Sequence, residues 1–463
     1  MTADEVPPGA AQETPVATPE TGRPKLSWSD LAGARVGLWG LGREGRASLR
    51  KLRTMNSEPV LVDDHPPAGG ILGGETGPPV TVLATSDGGL EALRRCDVVV
   101  KTPGLSRYRD DVAGLIAAGV PVVGGLGLWL ADADLRRVLC VTGTKGKSTT
   151  SALTGHLLTG LGYRAMVGGN IGAVPFDPGN EGDFDYWVIE VSSYQATDLP
   201  VSPPVVAVTS LHPDHLDWHG DLERYYRDKL SACRQPGAEL TVANGDSALL
   251  RERAALLGPQ ISWVGEDDDP TAVWMDPLGL PGRHNRRNAL IARRCLLAMG
   301  VPGARDDAAL TAAARGYQPL PSRLTTVATS GGVMFVDDSL STNVLPTLAA
   351  LDSFPDRRIA LIVGGHDRGI DYAPLAAGIA ARPAPTAVLT LPGSGPRIRA
   401  ALQAAGFAAV TDCPDLDAAV QAAYAAVRPD GIVLLSPAAP SFGQFRDYRD
   451  RGEAFARAAH ALA

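Results

Sequence analysis

Five cysteines, at positions 96, 140, 233, 295 and 413, are all this chain possesses, and no two are spaced as CxxC. A disulfide framework and a zinc ribbon are excluded on that ground, and a reducing cytoplasm is the expected compartment. No apolar run is long enough to span a membrane, and no apolar core of a signal peptide is found near the N-terminus. Positive charge is not in excess either: the net charge is -8 and the isoelectric point about 5.5. Without a basic stripe, nucleic acid is an unsuitable partner and a small molecule the expected one. Lysine is the scarcest of the common charged residues, with six copies (25, 51, 101, 145, 147 and 229) among 43 basic residues. Where arginine would serve, this chain uses arginine, so a retained lysine points to a need for a compact amine that can lose its proton and be acylated.

What is present fits a globular enzyme of several domains. A length of 463 residues, 44% hydrophobic and 20% charged, suggests about three α/β units. Residues 1–26, rich in Pro, Thr, Ala and Glu, read as a disordered tail. From residue 35, "RVGLWGLGREGRASLRKL" reads as strand, glycine turn and helix, and "PVLVDD" as the next strand. Gly40, Gly42 and Gly45 form GxGxxG, with Asp63 and Asp64 about 20 residues on. That pattern suits a dinucleotide, another nucleotide ligand, or merely a tight turn. A second series of strands begins at "RRVLCV", and the pattern breaks on two prolines in "GYQPLPSRLT". A third series follows. The expected units are residues 27–132, 133–319 and 320–463, with no internal repeat or coiled coil.

The densest motif is "GTKGKST", in which Gly143, Thr144, Lys145, Gly146, Lys147, Ser148 and Thr149 follow a β-branched strand and open a helical run. Backbone N–H groups of such a loop cradle phosphates, the lysine reaches the β and γ oxygens, and a hydroxyl can hold magnesium. The loop is shorter than the usual GxxxxGKS, and ATP is the expected ligand. Glu190 closes an apolar strand in "VIEVSSYQ"; a buried carboxylate there needs a metal or charged ligand, whereas a solvated strand end needs none. His212, His215 and His219 resemble a zinc cluster in spacing, but Pro213 and Gly220 interrupt any helix that would align them. Lys229 falls two turns into the helix that Asp221 caps, either as a surface lysine or as one required chemically.

Taken together and in order, "GTKGKSTT", "GGNIG", "IEVSSYQ", "HPDHLDWHG" with Lys229, "HNRRN", "PSRL" and "DDSLSTN" resemble the Mur ligase family over roughly residues 30–463. The closing "LLSPAAPSFGQFRDYRDRGEAF" resembles the members that join glutamate to UDP-N-acetylmuramoyl-L-alanine in peptidoglycan synthesis. The resemblance implies a Rossmann-like UDP-binding unit, a P-loop ATPase-type unit and a Rossmann-like C-terminal unit. It implies ATP-dependent amide formation through an acyl phosphate, with two magnesium ions, and a monomer is expected. Ser148, Thr149 and Glu190 would then serve one magnesium and His215 the other, with Lys229 present as a carbamate that supports a metal. Asn285, Asn288, Arg323 and Asp338 would meet ATP. Gly40, Leu41, Gly42, Asp63, Asp64, Thr102, Pro103, Gly104 and Asn170 would meet the UDP substrate, and Leu340, Thr342, Arg368, Ser441 and Tyr448 the amino acid.

The chain also departs from that pattern. Members that add D-glutamate usually read DSKATN where this chain reads "DSLSTN", so Leu340 replaces a lysine expected to meet a glutamate carboxylate. Arg368 stands where a second lysine is usual, and Tyr448 where phenylalanine is. A moved cation and an added hydroxyl favour the opposite chirality, L-glutamate, over D-glutamate, and an L product would call for a downstream epimerase. A folylpolyglutamate-synthase-type ligase would lack the unit before residue 130, and an inactive paralogue that senses UDP-muramoyl ligand would lack Lys147, Glu190, His215 and Lys229.

Overall fold

A computed structural model describes residues 23–74 and 77–462, so most of the expected tail lies outside the described residues. Of its last residues, Arg23 donates from Nη1 to the carbonyls of Ala196 (3.1 Å) and Leu199 (2.9 Å).

Three six-stranded sheets follow one another along the chain. The first comprises β1 (Val36–Trp39), β2 (Val60–Asp63), β3 (Ile71–Leu72), β4 (Val80–Ala84), β5 (Val98–Lys101) and β6 (Val122–Gly124), in the order β3-β4-β2-β1-β5-β6. All neighbours are parallel except β3 and β4. The second comprises β7 (Val138–Thr142), β8 (Ala165–Gly169), β9 (Tyr186–Glu190), β10 (Val205–Val208), β11 (Leu240–Asn244) and β12 (Ile261–Val264), ordered β12-β11-β10-β7-β9-β8 and wholly parallel. The third comprises β13 (Thr325–Ser330), β14 (Val333–Asp337), β15 (Ile359–Val363), β16 (Thr386–Thr390), β17 (Val410–Asp412) and β18 (Ile432–Leu435), ordered β13-β14-β18-β15-β16-β17. Its antiparallel edge strand β13 has no counterpart in the sequence reading.

Central strands such as β7 and β15 are short unbroken apolar runs buried at every residue, as parallel strands covered by helices on both faces must be. Strand order reverses beside β1 in the first sheet and beside β7 in the second. The loops at the carboxyl ends of these two strands therefore open into the crevice where such sheets hold ligands. They are the Gly40–Gly45 turn and the P-loop.

The first and second sheets are welded together. One apolar cluster runs from Trp28, Val100 and Leu126 to Leu199 and Tyr225. Across the same boundary the fully buried Lys101 donates to Asp198 at 2.5 Å, and Arg50 meets Asp177 at 2.5 Å. Removing either partner of a buried pair such as Lys101–Asp198 leaves an uncompensated charge, which costs about 3–5 kcal/mol. Clusters on the two faces of the third sheet form a separate core.

Candidate active site

The P-loop leaves β7 at Thr142 and enters the helix Lys147–Gly160. Gly143 has φ +135°, and a Cβ there would lie 2.3 Å from Thr209 Oγ1 and 2.9 Å from Ser210 N, so only glycine allows this approach. Thr209 and Ser210, just past β10, brace the loop. Thr209 Oγ1 donates to Lys145 O (2.6 Å), Lys145 N to Ser210 Oγ (2.8 Å) and Thr144 N to Ser210 O (2.9 Å). Neither residue was singled out in the sequence, because nothing local links them to a loop 65 positions away. Lys147 Nζ rests on Thr144 O (3.1 Å). Burial lowers its pKa to about 8, against the opposing pull of Glu190. Lys145 reaches Asp214 at 3.6 Å.

Glu190, at the end of β9, is 1% exposed, which rules out the solvated strand end. Its Oε1 accepts from Asn170 Nδ2 at 2.6 Å, while the buried Oε2 has no partner among the described residues. Lys229 is 2% exposed, so it is no surface lysine. Its Nζ donates to Gly143 O (3.1 Å), immediately behind the phosphate loop, and burial holds its pKa well below the ordinary value for an amine. Burial thus favours the unprotonated amine, the form that can be acylated.

The three histidines do separate things. His219 is completely buried, with Nδ1 at 2.6 Å from Asp228 Oδ2 and Nε2 at 2.9 Å from Ser193 Oγ. His212 N donates to Thr144 Oγ1 at 3.0 Å. His215 sits in the left-handed region (φ 51°) with its ring open to the cleft. Desolvation outweighs Asp214 and lowers its proton affinity, which suits the neutral imidazole of a metal ligand.

The phosphate loop, Asn170, Glu190, His212 and His215 line one cleft of about 1370 Å³ that the second and third sheets share, whereas Lys229 and His219 lie outside its lining. It exceeds the roughly 300–1,000 Å³ of single-ligand pockets, leaving room for a nucleotide beside another substrate. Thr144 to Thr149, Asn170, Glu190, His215, Asn285 and Asn288 face it from one side; Arg323, Asp338, Leu340, Thr342 and Arg368 face it from the other. Arg323 bridges the halves, donating from Nη2 to Ser148 Oγ at 2.8 Å. Asp338 accepts from Ser341 Oγ and from Ser436 Oγ (2.7 Å), and burial raises its pKa to about 7.

Ser441 and Tyr448 are outside the cleft lining: Ser441 is buried, and Tyr448 opens the helix Tyr448–His460. Beside them, Arg451 is 1% exposed and clamps Ser339 O (2.8 Å) and Ala439 O (3.1 Å). It thereby fixes the loop before Leu340 to the loop before Ser441.

The first-sheet candidates form a second locus. Leu41 N donates to Asp63 Oδ2 (2.7 Å), so this carboxylate closes the glycine turn. A Cβ on Gly45 would lie 2.0 Å from Gly40 O, which fixes glycine where helix and turn touch. Nothing lies within 4 Å of a Cβ on Gly42 or Gly104, so the backbone there is open to a ligand. Asp64 pairs with Arg109 at 2.5 Å and accepts from Thr85 Oγ1 at 2.7 Å. Thr102 lies against Gly40, and the Thr102–Pro103–Gly104 turn closes on the second sheet through Trp218 Nε1, which donates to Gly104 O (3.2 Å). Arg43 Nη2 crosses the same boundary to the carbonyls of Gly169 (3.0 Å) and Asn170 (2.9 Å).

Among the described residues no three His, Cys, Asp or Glu side chains converge as a metal cage. The orphaned Glu190 Oε2 beside a phosphate loop instead suits magnesium, which takes one or two carboxylates and completes its shell with phosphate oxygens and water.

A phosphate loop backed by a buried lysine, and an orphaned buried carboxylate beside it, facing a second α/β unit across one cleft, define a nucleotide-dependent ligase, and the chain belongs to the Mur ligase family. The profile of the Mur ligase middle domain matches residues 141–276, and that of the Mur ligase glutamate ligase domain residues 322–439. Proteins named UDP-N-acetylmuramoyl-L-alanine--L-glutamate ligase are similar over nearly the whole length. That of a Micromonospora species is 40% identical, covering 93% of this chain and 97% of its own; that of Xanthomonas euvesicatoria is 39% identical, covering 93% and 96%. Among solved structures, the UDP-N-acetylmuramate-alanine ligase MurC of Thermotoga maritima aligns with a TM-score of 0.56 at 17% identity, covering 93% of this chain and 100% of that one. The MurF ligase of Thermotoga maritima in complex with ADP aligns at 0.54 and 13% identity, covering 95% and 98%. Both share the fold. No helix among the described residues is long and apolar enough to cross a membrane.

Proposed function

We propose that this chain adds L-glutamate to UDP-N-acetylmuramoyl-L-alanine, consuming ATP and releasing ADP and phosphate through an acyl phosphate. The observation that carries this reading is the near-full-length similarity to L-glutamate ligases, joined to the apolar Leu340 in the cleft where a D-glutamate enzyme would present lysine. The product's inverted centre would then need an epimerase downstream.

In this reading Asn285 and Asn288 hold the adenine side of the nucleotide, and Asp338 the ribose. The P-loop amides and Lys147 hold the phosphates. Once nucleotide arrives, Arg323 shifts from Ser148 Oγ to the γ-phosphate, which keeps the third sheet closed over the reacting groups and excludes water from the acyl phosphate. The first unit holds UDP at the Gly40–Gly45 turn and aims the lactyl-alanine carboxylate at the cleft. Ser148, Thr149, Glu190, His215 and carbamylated Lys229 are the groups that would hold magnesium. When bound, magnesium neutralises the approach of one anion to another. Thr342, Arg368, Ser441 and Tyr448 form the glutamate side, and the guanidinium of Arg368, in the cleft lining, replaces the missing lysine.

Phosphate release by the purified chain with ATP, magnesium and UDP-N-acetylmuramoyl-L-alanine, measured separately with L- and D-glutamate, tests the reading. Release with the L enantiomer is expected. Release with D-glutamate alone would overturn the stereochemistry, and release with neither would overturn the substrate.

A further inference from the structure

One turn of chain, His215 to His219, joins the two loci. His215 O accepts from both Trp218 N and His219 N (3.2 Å each), which ties the left-handed His215 to the Trp218–His219 pair. That turn is gripped from two directions. From the first unit, Gly104 O accepts from Trp218 Nε1 (3.2 Å) and Ser106 Oγ donates to Trp218 O (3.1 Å). From the second, Tyr194 stacks on the Trp218 ring (4.6 Å between centroids, 22° between planes) and its edge contacts the His215 ring at 5.0 Å. Beneath them Asp228 is shared: one oxygen takes His219 Nδ1, and the other takes the hydroxyl of Tyr108 from the first unit at 2.6 Å. A backbone in the left-handed region at a non-glycine residue is strained, and persists only where its surroundings over-determine it. Here those surroundings are supplied by both units.

We propose that Trp218 is a positioning residue that ties the first-unit loop 102–108 to His215, so that occupancy of the UDP-substrate locus and metal binding at His215 strengthen one another. The inference rests on the function proposed above. A ligand seated on the open backbone at Gly104 orders the loop that holds Trp218, and Trp218 holds the turn that aims His215. By linkage, a metal held by His215 must tighten UDP-substrate binding by the same factor.

The test is a Mn2+ titration, followed by electron paramagnetic resonance, of the full chain with a non-hydrolysable ATP analogue, with and without UDP-N-acetylmuramoyl-L-alanine. In the unaltered chain the substrate is expected to tighten Mn2+ binding by about 5-fold or more, the lower range of site-to-site coupling. Trp218→Phe keeps the ring but loses the bond to Gly104, and Ser106→Ala loses the bond to the Trp218 carbonyl. Either is expected to shrink that ratio, and together they should bring it near 1, while Mn2+ binding without the UDP substrate stays within about twofold. Ser106→Ala is small enough to keep the fold if Trp218→Phe does not. A ratio near 1 in the unaltered chain, or an unchanged ratio in the variants, overturns the linkage. Phosphate release by the unaltered chain, run alongside, keeps this outcome separate from failure of the proposed function.

Discussion

Asn170 and Glu190 are locked together: the amide of one donates to Oε1 of the other at 2.6 Å, which leaves Oε2 without a partner among the described residues, on a side chain that shares the cleft with the phosphate loop. Asn170 therefore orients the carboxylate that the proposed function assigns to magnesium. Glu190→Gln preserves the shape and removes the charge, and turnover should fall by at least about 100-fold. Asn170→Ala should cost about 10–100-fold in Mn2+ affinity of the nucleotide complex, the usual cost of losing a partner that orients a ligand. Mn2+ titration and steady-state kinetics on both variants check this.

The contact proposed between Lys147 and the ATP phosphates gives ATP binding a pH dependence of known sign. With its pKa lowered to about 8 in the free protein, among Glu190, Lys145, Arg323 and Asp214, the amine is neutral above that pH. ATP phosphates require the ammonium, so binding takes up a proton. The Kd for ATP should be flat below about pH 8 and then rise, approaching tenfold per pH unit. Calorimetry in buffers of different ionisation enthalpy would reveal the proton uptake at about pH 9; its absence there would refute the assignment.

Lys229 is buried, its Nζ is 3.1 Å from a P-loop carbonyl and burial holds its pKa well below that of an ordinary amine; in the proposed function this amine is the site that takes up carbon dioxide. Protein equilibrated with 13C-bicarbonate should show one carbamate carbon signal by NMR, lost in Lys229→Arg. Arginine cannot form the carbamate, and turnover of that variant should drop by about 100-fold or more.

Glu44 lies at the boundary between the first two units, accepting from Gln195 Nε2 at 2.7 Å, with Arg43, Lys101 and Asp198 around it. Desolvation raises its pKa to about 7, so the folded state favours the protonated form. Its contribution to stability is full below the ordinary carboxylate pKa and is lost as pH rises toward 7. Glu44→Gln is neutral at every pH and can still accept from Gln195. The Tm of Glu44→Gln minus that of the unaltered chain should therefore grow more positive from about pH 5 to about pH 8. A constant difference would clear Glu44 of this role.

Much of the site was legible because its chemistry is packed into short stretches. Strand, glycine loop and helix N-terminus are local consequences of residues 138–160, so Lys147 and Ser148 could be placed in a phosphate loop before any coordinates. Glu190 could be placed at a strand end in the same way, but whether it was solvated depended on how β9 is covered. The three histidines show the limit: their spacing is that of a cluster, yet each turns to a different partner, and His219 is wholly occupied by Ser193 and Asp228. The bracing by Thr209 and Ser210, the clamp by Arg451 and the grip on Trp218 carried no sequence signal, since each joins segments far apart in the chain.

The sequence alone determined the three α/β series, the phosphate loop and the scarcity of lysine that singled out Lys147 and Lys229, because these follow from local periodicity, turn chemistry and side-chain identity. Only the tertiary structure decided that Lys229 is buried behind that loop and that the third scarce lysine, Lys101, is consumed by Asp198. It likewise decided that Arg323 meets Ser148 across 175 positions of sequence. Such contacts depend on how whole sheets dock, through burial of apolar faces shared by distant segments, and no short stretch of chain encodes that docking by itself.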